Sequence, residues 1–500
     1  MVRKPHIVLF NPDQWRGDVL GHIGNPAALT PNLDRLVAED AVSFSHAFCQ
    51  NPVCTPSRCS FMSGWYPHVR GHRTMTHMMA PDEPVLLRTL KENGYNVWWG
   101  GKNDLVPAEN GFDDYCTVKH ERLANKRLYP SRGWRGEPGG NTYYSFLQGK
   151  LETREHTEGP LDNDWNCIQG AIDYVRQSSG DEPLCLYLPL FYPHPPYGVE
   201  DPWFSAIDRS KLPPRIRTPD DWSGKPAIYK AFWERSGLFD WPEEKWDELR
   251  ATYYGMCARV DYQLGQLIQA LKDKGFYDDT ALFFFSDHGD LTGDYGLVQK
   301  LGNVFPDCQV RVPFIFKPPA DLRAKPGICD ALVELVDMPA TVEELVGLRP
   351  GHTHFGKSLL SLATGETEEH RDAVFSQAGG IREDIEDEDR QLPQYSESLY
   401  WPQLSILSER GVESTKATMI RTRTHKYVQR LYEQDELYEL ATDPGELTNR
   451  IDDPALADVL AQLKERLLRF YLETGDVVPA QANLREDYQN NDMTPRTAGR

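Results

Sequence analysis

The sequence predicts an α/β protein with a large, mostly parallel central sheet flanked by helices and a smaller C-terminal α+β subdomain. Three observations support this fold class. Four apolar runs have the character of buried strands, and helical patterns lie between them. After about residue 375 this alternation stops, and short alternating segments are followed by one amphipathic helix.

The predicted strands are apolar runs that scarcely alternate with polar residues, as expected for strands covered by helices on both faces. They are HIVLF (6–10), YNVWW (95–99), LCLYLPLFY (184–192) and ALFFF (281–285). Apolar residues at helical spacing predict connecting helices over 31–39, 84–93, 163–177 and 255–274. Because strands and helices alternate along the chain, most strands are expected to run parallel.

Residues 1–375 are predicted to form the main domain, and residues 376–500 the C-terminal subdomain. The main domain carries two insertions, a polar one at about 119–160 and a Trp-rich one at about 201–250. The Trp-rich insertion either shapes a substrate pocket as a lid or forms a satellite apolar cluster. The C-terminal subdomain is predicted to contain a small antiparallel sheet, a helix over 454–473 and a polar tail.

The composition and charge of the chain argue against some classes of binding partner. The chain has 500 residues, 40% of them hydrophobic, and a formal net charge of −21. Nucleic acid is not an expected partner, because its phosphates require clustered Lys and Arg. No run approaches the roughly 20 apolar residues of a membrane span, so no membrane partner is expected. The first apolar run is too short for the core of a secretory signal, which predicts a cytoplasmic protein.

Polar side chains follow each predicted strand at the point where it ends. In chain order they are Asp13 and Gln14, Lys102 and Asp104, His194, and Asp287 and His288. Ligands of open parallel sheets bind at the carboxyl ends of the strands. Each of these residues alone is explained as a turn or cap residue, but four such groups together predict a site along one sheet edge.

A cysteine with unusual neighbours lies in the stretch CTPSRCSFMSG (54–64). Thr55 is predicted to cap a helix, with Pro56 at its first position and Gly64 ending it. Cys54 then lies where the helix dipole favours negative charge, and Arg58 is one turn away. Only three residues separate Cys54 from Arg58, whereas a Cys-dependent phosphatase loop needs five. A buried structural cysteine remains the alternative at this stage.

This stretch resembles the sulfatase signature, Cys-x-Pro-Ser-Arg followed by Met or Leu, then Ser or Thr, then Gly. Further segments resemble the same family in the same order: PDQWRGD (12–18), GYNVWWGGKNDL (94–105), FYPHPPY (191–197) and FFFSDHGDLTGDYGLVQK (283–300). The chain is identified as resembling formylglycine-dependent, arylsulfatase-like sulfatases of the alkaline phosphatase superfamily. It is also similar to phosphonate monoester hydrolases of that superfamily.

The resemblance implies that Cys54 is oxidised to formylglycine, whose hydrate attacks the sulfur of a sulfate ester and later expels sulfate. It implies one divalent metal, Ca²⁺ above Mn²⁺ or Mg²⁺, with these ligands: Asp13, Gln14, the modified Cys54, Asp287 and His288. It also implies that Arg58 stabilises the oxyanion at position 54, and that Lys102 and Lys300 bind the sulfate oxygens. His194 is expected to contact the sulfate or to protonate the leaving oxygen.

Three departures from the family pattern affect these expectations. Gln14 replaces the second of two adjacent aspartates, a variant that resembles phosphonate monoester hydrolases. Asp104 replaces a histidine, and we expect it to contact a substrate hydroxyl or cation. Where an asparagine is usual, the chain has HRTMTHMM (72–79), so His72 or His77 is the candidate, with His77 preferred as a substrate-binding residue.

The predicted function is hydrolysis of a sulfate monoester, the alternative being a phosphonate monoester or phosphodiester hydrolase with the same formylglycine and metal. The expected partners are a small sulfated sugar or aryl compound and the formylglycine-generating enzyme. Association into a homo-oligomer is left open. A catalytically inactive binding protein is the hypothesis from another class, and it is disfavoured by the complete set of predicted catalytic residues.

Overall fold

The computed structural model describes residues 4–123, 132–152, 162–381, 396–409 and 411–478. Its strands are β1 His6–Asp13, β2 Val42–Phe48, β3 Asn96–Trp99, β4 Val118–Lys119, β5 Leu147–Lys150, β6 Leu184–Pro193, β7 Tyr197–Val199, β8 Thr280–Phe285, β9 Arg311–Val312, β10 Phe314–Lys317, β11 Gly327–Glu334, β12 Val374–Ala378, β13 Ala417–Arg421, β14 His425–Arg430 and β15 Glu436–Glu439. Its helices are α1 Pro31–Glu39, α2 Cys54–Ser63, α3 Pro67–Arg70, α4 Leu86–Glu92, α5 Asn163–Gln177, α6 Trp203–Ala206, α7 Ala227–Ser236, α8 Glu243–Lys274, α9 Asp307–Val310, α10 Asp337–Leu345, α11 Leu360–Ala363, α12 Trp401–Ser408 and α13 Ala457–Thr474.

The central sheet has the strand order β11-β2-β10-β8-β1-β6-β3-β4, with β9 paired to β2. The four strands predicted from the sequence are the adjacent strands β8, β1, β6 and β3, and they run parallel to one another. Strand β10 is antiparallel to both of its neighbours, β8 and β2. The predicted fold class, a mostly parallel sheet flanked by helices with a small antiparallel sheet, is confirmed.

Successive residues of the central strands face two separate hydrophobic clusters. In β1, Val8 and Phe10 belong to the cluster beneath α1, α5 and α8. Ile7 and Leu9 belong to the opposite cluster, which includes residues of α2, α4 and α10. Burying both faces explains why the strands are continuous apolar runs, because neither face of the sheet meets water.

The second sheet is antiparallel, in the order β12-β13-β14-β15, and α13 packs against it. The rings of Phe375 and Phe470 stack with centroids 3.9 Å apart at this contact. The predicted division between residues 375 and 376 falls inside β12 and stays a prediction. The acidic run 382–390, the tail from 480, and part of the insertion at 119–160 lie outside the described residues.

Several elements differ from the sequence-based expectation. Helix α8 begins at Glu243 rather than near residue 255, so it includes the end of the predicted Trp-rich insertion. Helix α2 begins at Cys54 and is preceded by the extended residue Val53, so Thr55 is not its cap. Gly64 ends this helix in the left-handed conformation, as predicted. Within the described residues, no helix combines the length and apolarity needed to cross a bilayer.

Candidate active site

The side chains predicted at the strand ends converge at the carboxyl edge of the central sheet. Asp13 ends β1, Lys102 follows β3, and Asp287 follows β8. The Lys102 ammonium lies 2.5 Å from Asp13 Oδ2, and the Arg58 guanidinium contacts both aspartates. Parallel strands bring these groups together because their carboxyl ends meet at one edge.

Cys54 lies at the N-terminus of α2 in the centre of this cluster. Its Sγ is 3.1 Å from His288 Nε2 and 3.6 Å from Asp13 Oδ1, and the residue is only 1% exposed. Burial, reinforced by the Asp13 charge, raises the pKa of the thiol to about 12. An unmodified Cys54 is therefore protonated at neutral pH, which argues against a simple thiolate nucleophile.

Arg58 joins the two carboxylates of the cluster. Its Nε donates to Asp287 Oδ2 at 3.0 Å, and its Nη2 donates to Asp13 Oδ2 at 2.9 Å. Burial alone would raise the pKa of Asp13, but Lys102 and the other cations nearby hold it well below its usual range. Asp13 is therefore an ionised carboxylate despite being fully buried, which suits a cation ligand.

Four side chains could hold a divalent cation here. One ligand atom from each of Asp13, Cys54, Asp287 and His288 lies within 4.8 Å of all the others. His288 Nδ1 is 2.8 Å from the Gly289 carbonyl, so Nδ1 carries the proton and Nε2 keeps its lone pair. Burial lowers the pKa of His288 to about 4, which keeps the ring neutral. Carboxylate oxygens with one imidazole fit Ca²⁺, Mg²⁺ or Mn²⁺.

Removing this cation is expected to destabilise the protein, because carboxylates that face an ion repel each other without it. An ion at one hundred times its dissociation constant contributes about 2.7 kcal/mol to stability. The thermal midpoint should fall after chelation and recover on adding Ca²⁺, Mg²⁺ or Mn²⁺. Asp287→Asn is the control, since it should abolish the ion-dependent shift. An identical midpoint with and without chelator would contradict the site.

Gln14 bridges this cluster to a lysine. Its Nε2 donates to Asp290 Oδ2 at 2.5 Å, and its Oε1 accepts from Lys300 Nζ at 2.9 Å. Its backbone N–H donates to Asp287 Oδ1 at 3.0 Å. The carboxamide thus holds Lys300 against the cluster, and the role of Gln14 as a metal ligand stays a prediction.

Lys102 and Asp104 form an ion pair beside the cluster, with 2.8 Å between Lys102 Nζ and Asp104 Oδ2. Although burial opposes it, the Lys102 charge lowers the pKa of Asp104, so this side chain is a carboxylate. Asp104, two residues after Lys102, therefore carries a negative charge and has no proton to donate.

Gly101 directly precedes Lys102 and sets the direction of the chain there. Its backbone φ of 60° lies in the left-handed region that favours glycine. A Cβ added there would lie 2.0 Å from the Pro189 carbonyl oxygen. We expect Gly101→Ala to lower the free energy of unfolding by about 2–4 kcal/mol. Gly94→Ala is the control, since Gly94 also has a positive φ but nothing surrounds its Cβ position. Equal urea midpoints for the two variants would contradict the steric argument.

His194 and Lys300 form the remaining side of the site. His194 Nε2 lies 3.0 Å from Lys300 Nζ, and Nδ1 lies 2.6 Å from the Pro195 carbonyl oxygen. A carbonyl only accepts and an ammonium only donates, so Nδ1 carries the proton and Nε2 accepts. Burial, and then the Lys300 charge, hold the pKa of His194 well below its usual range.

A cavity of about 400 Å³ opens above these residues and contacts Cys54, Lys102, Asp104, His194 and Lys300. Its other walls come from α7 and α12 and from residues 73–75, 302–303, 379–380 and 413–414, with Val53, Phe191 and Tyr400. His77 does not line the cavity; it is exposed and bonds Thr74 within its own loop. The substrate-binding role of His77 stays a prediction; the residues of its loop that line the cavity are Arg73, Thr74 and Met75.

The Trp-rich insertion contributes mainly packing. Trp222 and Trp233 pack together, as do Trp241 and Trp246, with ring centroids 5.9 Å and 4.8 Å apart. Among the residues described as lining the cavity, none is a tryptophan, and the insertion supplies only Ile228. Trp241 and Trp246 belong to the main hydrophobic cluster, and Trp222 and Trp233 pack against it, so the segment forms neither a separate satellite cluster nor a tryptophan-lined lid.

Sequence reasoning missed the contribution of the C-terminal sheet to the loop that carries Lys300. Lys426 Nζ donates to the Phe305 carbonyl at 2.8 Å, and Arg430 Nη1 donates to the Asn303 carbonyl at 3.1 Å. Both cations are buried on β14. Their separation in sequence from the loop leaves no local pattern that could have revealed this contact.

A mixed sheet with a buried cluster of possible metal ligands at its carboxyl edge is typical of a metal-dependent α/β hydrolase. The model of the sulfatase family matches residues 5–348, and the chain belongs to the sulfatase family. It is therefore a sulfatase enzyme, a hydrolase of sulfate esters.

Relatives of known name cover almost the whole chain. The multifunctional alkaline phosphatase superfamily protein PehA of Trinickia caryophylli is 26% identical, over 95% of this chain and 96% of its own. An arylsulfatase of Clostridium perfringens is 24% identical, over 93% of this chain and 94% of its own. The crystal structure of a phosphonate monoester hydrolase of Agrobacterium radiobacter superposes with a TM-score of 0.75 at 24% identity, covering 94% of this chain and 96% of that one.

Proposed function

We propose that this sulfatase hydrolyses a small sulfate monoester with a formylglycine made from Cys54 as its nucleophile. One observation carries this proposal: the Cys54 side chain lies where Asp13, His288 and the cationic side chains converge. A buried thiol of raised pKa is a poor nucleophile there, whereas a hydrated aldehyde at the same position gains from every neighbour.

A formylglycine at position 54 would supply a hydroxyl nucleophile, and a divalent cation held by Asp13, Asp287 and His288 would supply Lewis acidity. The chain's own residues orient the reaction around it. Arg58 fixes the Asp13 and Asp287 carboxylates by donating to the Oδ2 atom of each, and Asp13 Oδ1 lies 3.6 Å from Cys54 Sγ. Lys102 and Lys300 face the cavity and would offset the charge on the ester oxygens.

The nearest alternative is a phosphonate monoester or phosphodiester hydrolase, and Gln14 is the observation that favours it. Gln14 stands where many sulfatases have a second aspartate, and here it bridges Lys300 and Asp290. Sulfate monoesters and phosphonate monoesters are both tetrahedral monoanions, so the same cations accommodate either. The similarity to a phosphonate monoester hydrolase structure supports keeping this candidate.

Hydrolysis rates on a sulfate ester and a phosphonate ester with the same leaving group distinguish the two proposed functions. The matured enzyme is assayed with 4-nitrophenyl sulfate and with 4-nitrophenyl phenylphosphonate, which share one leaving group. We expect the larger kcat/KM for the sulfate. A clear excess for the phosphonate would overturn the first proposal in favour of the alternative. Gln14→Asp is the accompanying variant, and it should shift the ratio of the two rates towards the sulfate.

Maturation requires a formylglycine-generating enzyme in the host, and we propose that this enzyme recognises the segment from Cys54 to Arg58. We propose Ca²⁺ as the resident ion, because Asp13, Asp287 and a formylglycine at position 54 would together offer oxygen ligands beside His288.

A further inference from the structure

Strand β6 leaves the register of its neighbour β1 just before it reaches the site. Asn11 of β1 pairs with Pro189 of β6. The next pair is Asp13 with Pro193, so β6 has two more residues than β1 between these pairs. Bulges of this kind interrupt the ladder of hydrogen bonds and change the direction in which nearby side chains point. The residue that directly follows this bulge is His194.

Asp164 of α5 binds two backbone N–H groups inside this bulge. Its Oδ1 accepts from Phe191 N at 2.8 Å, and its Oδ2 accepts from Tyr192 N at 2.9 Å. The His194 N–H in turn donates to the Phe191 carbonyl at 2.9 Å. Phe191 and His194 both line the cavity. One buried carboxylate therefore fixes the backbone from which these two side chains reach the site.

The charges around Asp164 allow its carboxylate to be removed without leaving a buried cation unpaired. Arg259 of α8 lies 4.3 Å from the centroid of the Tyr192 ring. It pairs with Asp162 and, at 3.3 Å, with Glu200. Burial, and then the Asp162 charge, raise the pKa of Asp164 to about 7. Because Arg259 keeps both of its partners when Asp164 is replaced, the main loss is that of the two backbone hydrogen bonds.

We propose that Asp164 is a positioning residue for the reaction, holding His194 in place through the two backbone N–H groups that it binds. This inference rests on the proposed function only for the ester that reacts, because it concerns where the His194 ring lies beside Lys300. Without the two hydrogen bonds the bulge is free to shift. A displacement of about 1 Å at a group that contacts the substrate lowers the rate by about 100-fold.

Two substitutions of Asp164 in the full-length matured enzyme test this role. Asp164→Ala deletes both acceptor oxygens and is expected to lower kcat per folded molecule by about 10- to 100-fold. Asp164→Asn keeps one acceptor oxygen and should recover part of that loss, although both variants lack the charge. Assays at about pH 8.5 keep the wild-type carboxyl ionised. An unchanged kcat in Asp164→Ala would overturn the inference.

Asp261 of α8 offers the matched control, because it is also a buried carboxylate that accepts two backbone N–H groups. Its Oδ1 accepts from Leu33 N at 2.8 Å, and its Oδ2 accepts from Asn32 N at 3.1 Å, at the start of α1. Neither of these two residues lines the cavity. Asp261→Ala should lower the urea midpoint by a similar amount and keep kcat per folded molecule. An equal fall of kcat in both alanine variants would indicate general loosening of the fold and overturn the inference.

The His194 ring reports its own position without any turnover. In NMR spectra of protein labelled with ¹⁵N-histidine, the His194 signal is assigned by its loss in His194→Asn. We expect this signal to shift in Asp164→Ala and to stay in place in Asp261→Ala, and an unmoved signal in Asp164→Ala would overturn the inference. The kcat ratios are taken on whichever of the sulfate and phosphonate esters reacts faster. A preference for phosphonate would therefore refute the proposed function and leave this comparison intact.

Discussion

Cys54→Ala is expected to abolish ester hydrolysis, lowering kcat by ~10⁴-fold or more, because it removes the side chain from which the nucleophile is made. The cationic and carboxylate groups around it remain, so binding of inorganic sulfate should persist. Intact-mass measurement of the matured wild-type protein should show that Cys54 has lost one sulfur and two hydrogens and gained one oxygen. A chain that hydrolyses the ester while Cys54 remains entirely a thiol would refute the formylglycine proposal.

Cys59 offers the matched control on the same helix. It is as buried as Cys54, and burial likewise raises the pKa of its thiol. Its neighbours belong to the apolar cluster beneath α2, with no catalytic side chain among them. Cys59→Ala should therefore cost about 1–2 kcal/mol of stability through a small cavity and retain turnover. Equal loss of activity in both variants would mean that packing of α2, and not the Cys54 side chain, is what matters.

Arg58→Leu is expected to be the most destabilising substitution in the site. It would leave the carboxylates of Asp13 and Asp287 buried without the guanidinium that bridges them. Breaking a buried ion pair in this way costs about 3–5 kcal/mol, which chemical denaturation would measure. Hydrolysis should be lost as well, because the repelling carboxylates no longer hold the cation and the nucleophile in place.

Arg371→Leu is the control that distinguishes the loss of stability expected for Arg58→Leu from its loss of catalysis. The Arg371 side chain is only 8% exposed, and it pairs with Glu334 at 3.2 Å and with Asp337, neither of which lines the cavity around Cys54. Arg371→Leu should lose comparable stability while keeping kcat per folded molecule. If Arg58→Leu behaved in the same way, with full kcat per folded molecule, Arg58 would be a structural residue only.

The candidate site was largely predictable because it follows a rule of parallel sheets. Asp13, Lys102, His194 and Asp287 each follow an apolar run, and buried parallel strands bring their carboxyl ends to one edge. Strands β2, β10 and β11 escaped prediction. In β2, VSFSHAF places polar residues between apolar ones, so it lacks the continuous apolar signal of the central four.

Contacts between distant segments were not predictable in the same way. His77 had the right residue type near the right place, but its loop turns the ring towards Thr74 and leaves Arg73 and Met75 at the cavity. Likewise, nothing in the local pattern of Trp401–Ser408 indicates that its leucines face a cavity whose floor is Cys54.

The fold class, the family resemblance and a candidate reacting centre follow from the sequence alone, because burial and strand-end chemistry are encoded locally in short runs of residues. The tertiary structure alone decided which groups surround that centre. It showed that Arg58 bridges two carboxylates, that Gln14 holds Lys300, that the His194 ring contacts Lys300, and that Leu404 and Leu407 of α12 line the cavity. These features depend on distances between segments far apart in the chain, which only packing establishes.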